Sequence, residues 1–407
     1  MLPIVIFLIL AFCGMLALFL LSPRYFSYMP ERQIFSPWDT TLIVWIVILS
    51  LYVLVHDELY PVSEQFVCGI TIWVFTFSLS SVVSFILFPS YKKEKWEVCE
   101  KNVDFITVLA LVLVPFAVYK AVQHAYMIGS PEELFYTLRM QAIDPEENQL
   151  GFVKYFVYVV NVLLIIEVSR NKIRKWRLAL VVVLCVLFFI ATMAKITLFM
   201  YIFSSLYLLY EDKRISLRPI VIGMLFLISL IPVMYFLRGN SNEETNAELV
   251  GNLLLIYSIA SVIAFGYVSP CSSAQWGETS LRFFYVILSF LGFDVDVPTT
   301  ALQDFCDTPL PTNVYTVLFP YYKDFGFTGI ALFALLEGGI IGALYKSSKT
   351  GNNIAKYLYA YIFTLLMMQF VDEQIFQGLS SIIQMSILLL ICHTKFSFNK
   401  NVERHGG

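Results

Sequence analysis

Charge is scarce in this chain. Only 14% of its 407 residues are charged, against 58% hydrophobic. A soluble domain carries about a quarter charged residues. The composition therefore excludes a soluble globular fold and predicts an all-α polytopic membrane protein. The four histidines (His56, His124, His393 and His405) fall at no metal-ligand spacing, so no metal is expected. The seven cysteines form no CxxC pair and no cluster with histidine. Five of them lie in or beside apolar segments, as small polarizable core residues do. P-loop, HExxH, GxSxG and dinucleotide-binding fingerprints are absent. No cofactor is implied. No basic face stands outside the loops, which argues against nucleic-acid binding. Internal repeats, low-complexity tracts and a separate soluble domain are missing too.

Long apolar runs are abundant instead. A helix crossing a bilayer needs about 20 apolar residues. Residues 2–21, 40–56, 66–88, 103–122, 152–168, 219–236 and 327–345 meet that need. The run Leu2–Leu21 has no basic n-region and exceeds a signal-peptide core, so it reads as a retained span. Regions 178–210 and 357–393 are each too long for one helix and short for two. Loop charge resolves them, because Lys and Arg cluster on the cytoplasmic side. Twenty of the 27 basic residues fall in six segments: Arg24/Arg32, Lys92–Lys101, Arg170–Arg177, Lys213–Arg218, Lys346–Lys356 and Lys395–Arg404. The alternating loops are acidic: HDELYPVSEQ (56–65), EENQ (146–149) and DEQ (372–374).

This pattern predicts eleven spans, with the N-terminus outside and the C-terminus cytoplasmic. Each long region then becomes a hairpin. One turns at Ala191–Ile196, carrying Lys195, and the other at Asp372 and Glu373. Both turns are expected below the outer membrane surface, where a charge is costly and usually functional or paired. The organisation is one membrane domain: about eight spans in 1–237, a large outer loop in 238–326, three spans in 327–393 and a tail in 394–407.

Two outer segments stand out. In 124–150, Ser130, Pro131 and Glu133 read as a capping box. It opens a short interfacial helix with Leu134, Phe135 and Leu138 on one side and Arg139 presented. Residues 238–328 form a polar, aromatic-rich excursion. Its apolar stretches 248–267 and 281–293 are expected to be re-entrant or interfacial, because one extra crossing would put the 346–356 loop outside. Cys271 and Cys306 both fall there and could pair in an oxidising compartment.

The candidate chemistry gathers on the outer side. Arg139, Lys195, Arg238 and Arg282 come from four places in the chain, where basic residues are otherwise rare. Arg grips phosphate through a planar fork and Lys supplies a point charge, so together they fit a diphosphate without metal. Surface charges paired with nearby carboxylates are the alternative. Asp324, Asp372 and Glu373 are candidate general bases; Asp324 could instead cap a helix starting near Phe327. Glu337, inside a span, is expected to hydrogen-bond between helices. Trp276, Tyr315, Phe319, Tyr321, Tyr322 and Phe325 offer flat faces with polar edges, suited to sugars or to an interfacial belt. Asn313, Thr312 and Gly326 add amide, hydroxyl and turn to the same run.

The segment PTNVYTVLFPYYKDFGFTG (Pro311–Gly329) resembles the signature stretch of the oligosaccharide repeat-unit polymerases, the Wzy-type O-antigen polymerases. The resemblance extends to the layout. There are about eleven spans, a large outer loop before the last three, and Arg238 directly after the preceding span in YFLRGN. One departure is Lys195, at a turn that often carries Arg in related sequences. The resemblance implies an inner-membrane glycosyltransferase facing the periplasm, in lipopolysaccharide or related polysaccharide biosynthesis. It would move a growing chain from undecaprenyl diphosphate onto the non-reducing end of a new lipid-linked unit, without a nucleotide sugar. Arg139, Arg238 and Arg282, helped by Lys195, would hold diphosphate. Asp324 would activate the acceptor hydroxyl, with Asp372 or Glu373 as second choice. Asn313, Tyr315, Tyr321, Tyr322 and Trp276 would contact sugar. A chain-length regulator and a flippase would be partners.

Two rivals remain. An O-antigen ligase shares the layout but is associated with a histidine in the large outer loop, and 238–328 contains none. A flippase for lipid-linked oligosaccharide needs access from both faces, whereas the candidate residues gather on one.

Overall fold

The computed structural model of the chain describes residues 14, 33–55, 60–89, 96–143, 150–223, 259–298, 305–308 and 311–394. These residues build an all-α membrane protein. Five helices are long and apolar enough to cross a bilayer: Glu64–Leu87, Glu100–Ile128, Gly151–Ser169, Lys175–Thr192 and Phe319–Lys349. The 2–21 span, most of 219–236, Arg238 and residues 248–258 lie outside the described residues.

In chain order the helices are α1 (Pro37–Val55), α2 (Glu64–Leu87), α3 (Glu100–Ile128), α4 (Leu134–Ile143) and α5 (Phe156–Ser169). Then follow α6 (Lys175–Thr192), α7 (Lys195–Glu211), α8 (Arg282–Phe290), α9 (Phe319–Lys349), α10 (Asn353–Met367) and α11 (Leu379–His393). A two-residue antiparallel pair, Cys306–Asp307 with Pro311–Thr312, is the sole sheet among the described residues. Local chemistry sets several starts. Ser63 caps α2 by accepting from Phe66 N at 3.2 Å, and Asn352 caps α10 through Ala355 N at 3.2 Å.

Both long regions are hairpins, as the charge pattern required. α6 ends in Met193, whose φ of 44° reverses the chain, and α7 begins two residues later. α10 and α11 are 15 residues each, joined by residues 368–378. Each rises only about 22 Å, short of a hydrocarbon core about 30 Å thick. The predicted capping box before α4 differs from what forms. Pro131–Glu133 is a 3₁₀ turn closed by Glu133 N to Ser130 O at 3.1 Å, and the Ser130 hydroxyl caps nothing.

Side-chain contacts fix the direction of each helix. The start of α3 meets the ends of α5 and α11 and the start of α6. Arg170 grips Glu100 through two bonds of 2.6 and 3.0 Å, and Asn102 Nδ2 donates to Ile391 O at 2.6 Å. Arg177 joins Asp104 at 2.7 Å and Glu167 at 3.2 Å. Lys349 at the end of α9 pairs with Glu211 at the end of α7 at 2.5 Å, and Lys356 near the start of α10 pairs with Asp212. This end of the bundle is an ion-paired end.

The seam between α2 and α9 is the tightest in the bundle. Small residues Ala334, Gly338 and Gly342 recur every fourth position on α9, facing Phe77, Ser80 and Ser81. A Cβ on Gly338 would meet Ser80 Oγ at 2.1 Å and Phe77 O at 2.4 Å. Small residues let membrane helices approach this closely. The seam carries α9 into the bundle and so positions the segment that precedes it.

Candidate functional site

α9 has two limbs. At Gly326 the backbone takes φ 62° and ψ −150°, a conformation open to glycine alone. The short limb, 319–325, folds back along the long limb, 327–349. Tyr321 stacks on Phe333 at 4.3 Å although twelve positions separate them; a straight helix would hold them about 18 Å apart. Gly329 sits beneath the fold, where a Cβ would come within 2.3 Å of Tyr321 O. The aromatic run is therefore a hook that enters the bundle and turns back.

Non-helical backbone leads into this hook and docks on the second hairpin turn. Thr316 N donates to Val371 O at 3.1 Å and Val317 N to Gln369 O at 2.8 Å. Ser261, in the short helical turn 261–264, donates to Phe370 O at 2.6 Å. Gln369 is pinned from behind: its Oε1 accepts from Trp45 and Trp73 at 3.1 and 3.3 Å, and its Nε2 donates to Thr41 at 3.0 Å. The structure thus unites the run 311–325 with the turn holding Asp372 and Glu373. Irregular backbone at such depth is tolerated where it is buried in protein or lines a polar cavity, which marks functional sites.

The three candidate carboxylates have different environments. Asp324 accepts from Ser273 Oγ, from Thr279 N at 3.1 Å, and from Ser280 N and Oγ at 2.7 and 2.6 Å. Both oxygens are occupied, so Asp324 anchors the 273–280 loop and is poorly placed to take a proton from a substrate. Glu373 is buried and accepts from three backbone amides, Ile375 N, Phe376 N and Gln377 N, at 2.5, 2.9 and 2.8 Å. Asp372 is half-buried, and its Oδ1 accepts from Glu373 N at 2.8 Å. Burial pushes its carboxyl up to about 7. It is the best placed of the three to act as a base near neutral pH.

The aromatic candidates separate in the same way. Tyr321 is wholly buried between Trp73 and Phe333, with both ring faces stacked, which leaves no face for a sugar. Tyr322 is buried against Phe265 and Phe327, its hydroxyl 3.3 Å from Gln65 Oε1. Tyr315 is buried and stacks on Phe319, while Asn313 is half-buried at the start of the hook. Trp276 is 74% exposed and touches Phe325 edge-on at 5.2 Å. The expectation of sugar contact thus retains accessible side chains in Asn313 and Trp276.

Among the cations, Arg139 reaches the first hairpin turn, donating to Thr192 O at 3.5 Å, three residues before Lys195. α7 and α10 run antiparallel, with Tyr207 against Tyr359 and Phe363. Lys195 begins α7, at the end of that helix away from Glu211 and Asp212. Arg282 Nε donates to Pro298 O at 2.7 Å within its own segment, 282–298. Cys271 and Cys306 are free thiols rather than a disulfide. Among the described residues no His, Cys, Asp and Glu gather as a metal site.

The site missed in the sequence is the layer beneath the hook. Gln65 spans from α2 to Phe265 O, Gly266 O and Val268 O at 2.9, 2.8 and 3.2 Å. Glu337, expected to hydrogen-bond between helices, instead receives the Tyr321 hydroxyl from the short limb of its own α9. The Gly326/Gly329 pair is the sequence signal that could have disclosed the reversal. Fold and site together define a polytopic membrane protein with a hooked helix docked on a buried acidic turn. The chain matches no family model, curated protein or solved structure.

Proposed function

We propose that this chain is a membrane glycosyltransferase that polymerises lipid-linked oligosaccharide repeat units, with the hook and the Asp372 turn as its active site. The reading takes eleven spans in the bacterial inner membrane, with the ion-paired end cytoplasmic and the hook end facing the periplasm. The observation that carries it is the docking of the run 311–325 on the acidic turn. Two segments that suggested the chemistry separately form one hydrogen-bonded unit, at the bundle end that also holds Arg139 and Lys195.

In this reaction the acceptor hydroxyl oxygen attacks the anomeric carbon of the donor sugar. The bond from that carbon to diphosphate breaks, and undecaprenyl diphosphate leaves with the electron pair. Asp372 takes the acceptor proton. Arg139 and Lys195, with Arg238 and Arg282 from the outer loop, stabilise the charge developing on diphosphate. Asp324 holds the 273–280 loop over the hook, and Asn313 and Trp276 meet the sugars. A chain-length regulator and a flippase would act beside it.

The test supplies purified protein with its native undecaprenyl-diphosphate-linked repeat unit and no nucleotide sugar. A ladder of lengthening products is expected. Transfer seen only after lipid A core is added would identify a ligase, and movement of intact units across vesicles without new bonds would identify a flippase.

A further inference from the structure

We propose that the corner where the starts of α3 and α6 meet is a binding site for an anionic phospholipid. Lys101, Lys172 and Lys175 hold its phosphate, and the outward faces of the two helices receive its chains. The site lies at the ion-paired end and does not depend on the polymerase reading.

Ion pairing at this corner is uneven. Its acids Glu100, Asp104 and Glu167 are each held by arginine, through Arg170, Arg174 and Arg177. Those pairs tie the 170–177 loop to the start of α3. The lysines interleaved among them are left over. Lys101, Lys172 and Lys175 are exposed and meet no acid among the described residues. Glu97, just before α3, is exposed and pairs with no cation among them either. Three lysines therefore stand against one acid, and the corner carries surplus positive charge. The arginines, as planar forks, have taken the carboxylates. The lysines, as compact point charges, remain for an anion from outside the chain.

Depth and neighbours say what that anion belongs to. α3 and α6 are both long and apolar enough to cross a bilayer, which puts their first turns at headgroup level. Lys101 stands over an apolar stripe: Phe105, Val108, Val112 and Phe116 follow it at helical spacing and are all exposed, Phe105 at 69%. On α6, Lys175 and Trp176 stand over Val182, Val183 and Val186, which are exposed likewise. Trp176 is 68% exposed, and tryptophan favours the headgroup level. Lipid chains of any headgroup cover such stripes. The lysines add a choice of sign, because an anionic headgroup answers their charge while a zwitterionic one brings its own cation. Basic pockets at the ends of membrane helices hold anionic headgroups in this way.

The test reconstitutes the full chain in phosphatidylcholine bilayers doped with brominated phosphatidylglycerol or brominated phosphatidylcholine. Bromine on the lipid chain quenches tryptophan on contact, and the share of quenching that Trp176→Phe removes reports this corner. At low salt, phosphatidylglycerol is expected to reach half of that quenching at about one fifth of the dose that phosphatidylcholine needs, since one basic side chain near an anionic surface strengthens association about fivefold. The preference should fall to near unity in Lys101→Gln/Lys172→Gln/Lys175→Gln. It should fall likewise for the unaltered chain in about 1 M salt, where exposed charges are screened within about 3 Å. Equal quenching by the two lipids in the unaltered chain at low salt would overturn the proposal. So would a phosphatidylglycerol preference that survives the triple substitution or the salt.

Discussion

Glu167 and Glu337 are both buried glutamates on membrane helices, and their partners differ in kind. Glu167 lies at the end of α5 between Arg170 and Arg177, at 2.9 and 3.2 Å. These are ion pairs without aligned hydrogen bonds. Glu337 meets a tyrosine. The difference extends to the whole of each end. At the ion-paired end, Glu100, Asp104, Glu211 and Asp212 all meet Lys or Arg. At the hook end, Asp324, Asp372 and Glu373 meet hydroxyls and backbone amides. A carboxylate held by a cation is settled in one charge state. A carboxylate held by hydroxyls and amides can exchange a proton, and catalysis needs that freedom. The first end latches helices together; the second leaves an acid able to work.

Breaking a latch should cost the most stability. Arg177 is buried with Glu167, and removing one partner of a buried pair typically costs about 3–5 kcal/mol. Arg177→Ala is expected to lower the thermal midpoint in detergent by that measure, while the folded fraction keeps its specific activity. At the hook end, Asp324→Ala leaves Ser280 N and Thr279 N without their acceptor, a loss of about 1–3 kcal/mol. Protease sensitivity should rise within 271–298 and leave the helices intact. Smallest is Arg174→Ala. Its pair with Glu100 at 3.2 Å is half exposed, and exposed pairs contribute about 0–1 kcal/mol, so the midpoint should barely move.

Asp372 adds a pH dependence near neutrality. Its carboxyl rises from an ordinary 3.8 to about 7 on folding. Between these values the folded protein holds a proton that the unfolded chain has released, so stability falls as pH rises through that window and levels off above it. The rate should move the opposite way, climbing as Asp372 ionises near pH 7. A rate that is flat from about pH 5 to 8 would contradict the assignment of Asp372 as base.

The helices and hairpins were legible because apolar length and basic loops report them directly: Arg170–Arg177 and Lys346–Lys356 both lie at the ion-paired end, where the positive-inside pattern put them together. The same pattern could not reveal that Arg177 and Glu167 are paired, since the two residues bracket a loop and meet only after α5 and α6 pack. The run 311–329 stood out by composition, yet its reversal depends on a single φ at Gly326 and on clearance at Gly329, which composition does not encode. Asp324 looked like a base because an acid among aromatics is conspicuous; its four donors come from residues 44 to 51 positions away. Tyr321 was read as a sugar platform for its flat faces, and those faces are used by Trp73 and Phe333 in the core.

The most direct measurement is single-turnover glycosyl transfer by purified Asp372→Asn beside wild type, with lipid-diphosphate-linked repeat units as donor and acceptor. Loss of a general base lowers rate about 10²–10⁴-fold. The account predicts a loss of that size with the thermal midpoint retained. Transfer at the wild-type rate by Asp372→Asn would contradict it.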